Sequence, residues 1–234
     1  MKELGVACEI LPSLPCTFDN MSATLLGDTL YVLGGYRNGI PSCSMFSFCL
    51  SNYSGGWTEV FFPGKPRVQP VCASLFGNLY IWGGFIPGKE SSVLTDGLCY
   101  QPASGQWQVL RAPLTTEGQP LTLTGGASVS YGDTLVICAG GVNRDIFEDA
   151  ISGRYKKVCE SEYLLQPVEW YHFNDQLLAY DVRLGEWIRI GTPSPMLARA
   201  GASLVLFGEA LFYIGGELKP GVRTSDICRI SFQE

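Results

Sequence analysis

Four segments of this chain repeat one pattern, at 19–35, 69–84, 124–141 and 199–216. Each opens on small residues, crosses a turn written Gly-Asp, Gly-Asn or Gly-Glu, and continues as an apolar run closed by two glycines, as in V-C-A-S-L-F-G-N-L-Y-I-W-G-G. Glycine beside Asp or Asn between two β runs is hairpin chemistry, because glycine supplies the positive φ that primed turns need. Downstream of three of the diglycines come a third short strand and a fourth bearing a tryptophan: 45–50 with Trp57, 97–100 with Trp107, and 177–181 with Trp187. A four-stranded module of this kind cannot bury both faces alone. It must stack on copies of itself around an axis, so the expected fold is all-β, a β-propeller with four recognisable blades over a single domain spanning 1–234.

The ends and the spacing refine that expectation. The last module has a third strand at 226–232 and no tryptophan strand after it, while residues 6–11 followed by Pro12 and Pro15 read as a fourth strand and its exit loop. The two ends are therefore expected to pair and close the ring. The diglycines ending at Gly35, Gly84, Gly141 and Gly216 lie 49, 57 and then 75 residues apart. The excess falls in an insertion at 142–175 carrying Phe147, Tyr155, Tyr163, Trp170, Tyr171 and Phe173, with weakly helical spacing over 145–165. A long loop in a compact domain is often functional; the other reading is a lid that only covers an exposed blade.

Composition narrows the function classes. A net charge of −6 argues against a polyanion-binding surface, so no nucleic-acid partner is expected. No run approaches the ~18 apolar residues of a membrane span. Nine cysteines are an odd number without a C-x-x-C pair, and a single histidine removes most zinc constellations, so buried free thiols and no metal are expected. Residues 1–16 lack a signal-peptide core, which implies either a cytoplasmic protein or a missing precursor start.

The first two strands of a blade are antiparallel, so residues just after each diglycine share a face with those just before each first strand. That face is expected to collect Asn143, Arg144, Glu217, Lys219 and Arg223 from the first set, and Arg67, Gln69 and Arg199 from the second. Several arginines at one mouth of an acidic protein point to an anionic ligand, since a guanidinium forks onto a carboxylate. The segment G-G-E-L-K-P-G-V-R-T-S-D at 215–226 stands out: its Pro220-Gly221 turn lets Glu217 and Arg223 face one site from two limbs of a loop.

The diglycine modules resemble the kelch repeat. G-E-L-K-P-G-V-R-T resembles the signature loop of bacterial N-acetylneuraminate epimerases, the sialic acid mutarotases. P-G-K-P-R-V-Q-P-V, G-G-V-N-R-D-I-F, E-W-Y-H-F-N-D and L-A-R-A-G-A-S-L are similar to a cyclically permuted branch of that family. The resemblance implies a six-bladed propeller in carbohydrate metabolism, exported to the periplasm, that interconverts the α and β anomers of a free sugar acid without a cofactor. It gives Glu217 the role of proton acceptor and Arg223 that of a substrate contact, with Arg67, Gln69, Arg199, Asn143, Arg144 and Lys219 as further substrate-binding candidates. Two alternatives stand beside it: a non-catalytic module that binds a protein or glycan, and a truncated, inactive relative.

Overall fold

The structure is a computed structural model that describes residues 8–88 and 90–232. Each repeat forms a sheet of consecutive antiparallel strands. Blade 1 contains Ser22–Leu26, Thr29–Leu33, Met45–Cys49 and Thr58–Val60; blade 2 contains Val71–Leu75, Asn78–Trp82, Gly97–Gln101 and Gln106–Leu110. Blade 3 contains Ala127–Tyr131, Leu135–Ala139, Leu177–Asp181 and Glu186–Ile190, and blade 4 contains Ser203–Phe207, Ala210–Ile214 and Ile227–Ser231.

The core lies between the sheets. Tyr31, Leu33 and Met45 of blade 1 pack on Leu79, Ile81 and Leu98 of blade 2. Trp82 and Cys99 of blade 2 pack on Val136, Cys138 and Tyr180 of blade 3. Ile137 and Ala179 of blade 3 pack on Leu204, Leu211 and Tyr213 of blade 4. Alternate residues along each strand thus serve alternate neighbours, which is why a single repeat could not fold alone. Among the described residues, no packing of comparable extent joins blade 4 to blade 1. On blade 4 the free face leaves Val205, Phe207 and Ile227 exposed.

A second set of contacts winds around the axis. The residue two places before each first strand, Asn20, Gln69, Gly125 and Gly201, is left-handed, with φ of 51°, 54°, 69° and 63°. Each of the last three donates its backbone N–H to the carbonyl of the one before, at 3.0, 3.0 and 2.7 Å. The diglycines are needed for close approach between blades. A Cβ on Gly140 would run into the Arg199 carbonyl oxygen, and one on Gly34 would lie 2.5 Å from that of Arg67.

The expected closure through the chain ends is corrected in part. Residues 8–11 form no strand, and among the described residues Ile227–Ser231 pairs only with Ala210–Ile214. Positions 6 and 7 lie outside the described residues. Trp107 and Trp187 donate their indole N–H to Phe61 and Arg111, each just past the fourth strand of the preceding blade. Trp57 donates in the same way to Pro12, 2.9 Å away. The segment before Pro15 therefore occupies the exit of a fourth strand as seen from blade 1, while the third strand of blade 4 lies apart from it. Among the described residues, blades 1 and 4 share no core cluster like those that join the other neighbours.

The insertion holds α1 (Arg144–Ile151), α2 (Glu160–Tyr163) and a 3-10 turn at Val168–Tyr171. Asn143 starts α1 by accepting the Ile146 N–H on its side-chain oxygen. Phe147 of α1 packs edge-on against Phe85, just past the blade 2 diglycine. Among the described residues, no helix is long and apolar enough to cross a membrane.

Candidate functional site

Segments after the diglycines and segments before the first strands do share one face. Phe18–Asp19 pairs with Tyr36–Arg37, Val68 bridges to Phe85, and Ala200 bridges to Glu217. The insertion follows Gly141 and lies on this same face.

Glu217 and Arg223 meet as the turn requires. Glu217–Lys219 and Val222–Arg223 form a hairpin in which Glu217 and Arg223 are direct cross-strand partners. Glu217 accepts the Gly221 N–H at 2.9 Å, and Arg223 Nη2 stands 3.9 Å from the same oxygen, Oε1. Among the described residues, Oε2 has no hydrogen-bond partner. The Glu217 side chain is 29% exposed and that of Arg223 is 80% exposed, so the acid is sheltered and the guanidinium reaches outward. The backbone of Glu217 is fixed by two hydrogen bonds with Ala200, at 2.7 and 2.9 Å.

The other expected site residues divide. Arg144, the first residue of α1, is exposed, and Asn143 is engaged as the helix cap. Gln69 is exposed and hands its amide to Asn20 Oδ1 at 2.9 Å, as part of the belt around the axis. Lys219 is committed: Nζ donates to the carbonyls of Leu164 at 3.1 Å and Gln166 at 2.6 Å.

Arg67 and Arg199 do not line the mouth. Their side chains are 0% and 3% exposed. Arg67 donates to the Gly83 carbonyl at 3.1 Å and to Asp96 at 2.8 Å. Arg199 donates to the carbonyls of Gly215 and Asp226 at 3.0 and 3.1 Å, with the Asp226 carboxylate 3.9 Å away. A buried guanidinium is tolerated when carbonyls and an acid satisfy it. Both arginines stand four residues before a first strand, and both acids stand immediately before a third strand. In blades 1 and 3 the same two positions hold Phe18 with Ser44 and Leu123 with Gln176. This matched exchange is the signal that identifies the arginines as latches within a blade, and it is readable in the sequence once the repeats are aligned.

Two further features were not foreseen. A cavity of about 630 Å³ is walled by the loop at 114–122, by Asn143, Arg144 and His172 of the insertion, and by Leu218, but by neither Glu217 nor Arg223. Tyr163 lies beside the hairpin. Burial pushes its phenol pKa up, with the charges of Tyr171, Tyr155 and Glu217 adding to the effect. Among the described residues, no group of three His, Cys, Asp or Glu could hold a metal ion.

The family model for N-acetylneuraminate epimerase matches residues 11–234. This chain belongs to that family. An N-acetylneuraminate epimerase from Haemophilus influenzae (strain 86-028NP) is 32% identical over 226 residues, which cover 92% of this chain and 57% of that protein. One from Yersinia enterocolitica is 31% identical over 234 residues, covering 94% and 57%. The solved structure of YjhT superposes with a TM-score of 0.79 at 28% identity, over 95% of this chain and 65% of the other. The chain thus spans 57% of the length of these curated relatives, and its β-propeller architecture is that of the YjhT structure.

Proposed function

We propose that the Glu217 hairpin interconverts the α and β anomers of N-acetylneuraminate. The observation that carries this reading is the meeting of a sheltered carboxylate and an exposed guanidinium across one hairpin, with Glu217 Oε2 uncommitted. Membership of the epimerase family supports the choice of sugar.

Mutarotation of a keto-sugar acid opens a hemiketal and recloses it on the other side of the carbonyl. In this reading Glu217 takes the proton of the anomeric hydroxyl as the bond from that carbon to the ring oxygen breaks. The ring oxygen receives a proton from water as it leaves. The freed carbonyl turns its other face and the two proton transfers run in reverse. One carboxylate can serve both directions, because it holds the same proton between opening and closure. Arg223 forks onto the sugar's carboxylate, and Arg144 is the other exposed guanidinium of the candidate set. In this reading Arg199 latches the blade that carries the hairpin, Arg67 latches blade 2, and neither contacts the sugar.

The test is proton NMR of freshly dissolved single-anomer N-acetylneuraminate with and without the protein. Faster equilibration with the protein supports the enzyme reading. An unchanged rate, with the sugar bound, would make the hairpin a binding site that does not turn its ligand over.

A further inference from the structure

The hairpin and the insertion come from different blades, and the Lys219 ammonium joins them. Its two acceptors, the carbonyls of Leu164 and Gln166, lie just past the C-terminus of α2. Among the described residues these are the only side-chain hydrogen bonds between residues 217–223 and the insertion. Among the described residues, no carboxylate stands within ion-pair distance of Lys219 to compete for it.

The element being held is stiff. Tyr163 packs edge-on against Tyr155, Trp170 and Tyr171, and the Tyr171 hydroxyl donates to the Tyr163 carbonyl. Tyr163 and Tyr171 are buried with Ile146 of α1, so α1, α2 and the turn after them form one aromatic block. The strand Glu217–Lys219 packs against the Val168–Tyr171 turn of this block, and Leu218 between them lines the cavity. The Glu217 charge acting on Tyr163 agrees with that placement.

We propose that Lys219 is a positioning residue: it docks the aromatic block of the insertion against the hairpin, so that the Tyr163 side of the block shelters Glu217. Lys219 then acts through Glu217 and does not touch the sugar. The catalytic part of this inference rests on the anomerase reading; the docking part does not.

Two substitutions separate the possibilities. Lys219→Met keeps the stem and removes the donors, whereas Lys219→Arg keeps a cation able to reach two carbonyls. Amide hydrogen exchange over residues 158–171, read by mass spectrometry, is expected to speed up on the order of tenfold in Lys219→Met. It should return toward wild type in Lys219→Arg, with the thermal midpoint of the propeller little changed in either variant. Anomer exchange should lose kcat in Lys219→Met at nearly constant KM and recover in Lys219→Arg. Wild-type hydrogen exchange in Lys219→Met would overturn the docking claim whatever the activity. A raised KM at unchanged kcat would make Lys219 a substrate contact and overturn the positioning claim. If the insertion loosens in Lys219→Met and the wild-type protein does not hasten anomer exchange, docking stands and the anomerase reading falls.

Discussion

Blades 2 and 4 carry the same latch at the same register, yet only in blade 2 is the ion pair tight. Arg67 meets Asp96 at 2.8 Å, whereas Arg199 stands 3.9 Å from the Asp226 carboxylate and its Nε has no hydrogen-bond partner among the described residues. The Asp96 side chain is 43% exposed and that of Asp226 is 74% exposed. The glycines diverge in the same way: a Cβ on Gly83 would meet the Thr124 nitrogen of blade 3 at 2.9 Å, while one on Gly215 would meet nothing nearer than the Thr224 carbonyl oxygen at 3.5 Å. Blade 2 has a sheet on both faces and blade 4 on one. Identical residues therefore perform different amounts of work depending on whether a neighbour excludes water, and the Glu217 hairpin hangs from the looser of the two blades.

The largest expected contrast is at these glycines. Gly83→Ala must place a side chain at positive φ and against the next blade, which should cost about 3–4 kcal/mol. Gly215→Ala meets only the backbone penalty, about 1–2 kcal/mol. Equal losses in urea unfolding would show that the close approach between blades 2 and 3 contributes little.

The acids should differ next. Asp96→Ala leaves a fully buried guanidinium without its counter-charge and should cost about 3 kcal/mol. Asp226→Ala removes a solvated partner while Arg199 keeps its two carbonyls, so the loss should stay below about 1 kcal/mol. A larger loss for Asp226 would reverse the ranking of the two latches.

A smaller effect separates the thiols. Cys99 in blade 2 is buried, and burial pushes its pKa up to about 11, slightly opposed by a hydrogen bond from Tyr80. Cys228 in blade 4 is half-buried, and Cys43 and Cys159 are exposed. Iodoacetamide at pH 8 should modify Cys43 and Cys159 first, Cys228 more slowly, and Cys99 only on unfolding. The unfolded chain releases the Cys99 proton near 9.0 while the folded chain retains it to about 11, so this thiol's contribution to stability is complete below pH 9 and is lost as the pH rises through that window. Early labelling of Cys99 would mean that the seam between blades 2 and 3 opens easily.

Much of this fold is legible in the sequence because a repeat states the same physics several times. The turn glycines, the diglycines and the tryptophans mark the sheets, and strand direction alone places the loops on one face. The Glu217–Arg223 hairpin is legible because Pro220-Gly221 reverses the chain over a short distance. The burial of Arg67 and Arg199 is not visible in their own neighbourhoods. It depends on Asp96 and Asp226, more than twenty residues away, and on carbonyls that turn inward only at left-handed glycines. Polar loop residues are read as exposed by default, and that default fails for these two. Lys219 escapes for a similar reason, since its partners are backbone carbonyls of another blade's insertion and carry no mark in the sequence. The pairing expected between 6–11 and 226–232 assumes a closed ring. Trp57 and Pro12 show how the N-terminal segment is instead fitted to blade 1.

The most direct test of the central claim is the rate of N-acetylneuraminate anomer exchange, by NMR, in Glu217→Gln. The amide keeps the shape of the hairpin and its hydrogen bond from Gly221 while removing the base. The accelerated rate should fall about 10²–10⁴-fold, with sugar binding nearly intact. A Glu217→Gln protein as fast as wild type would contradict that claim.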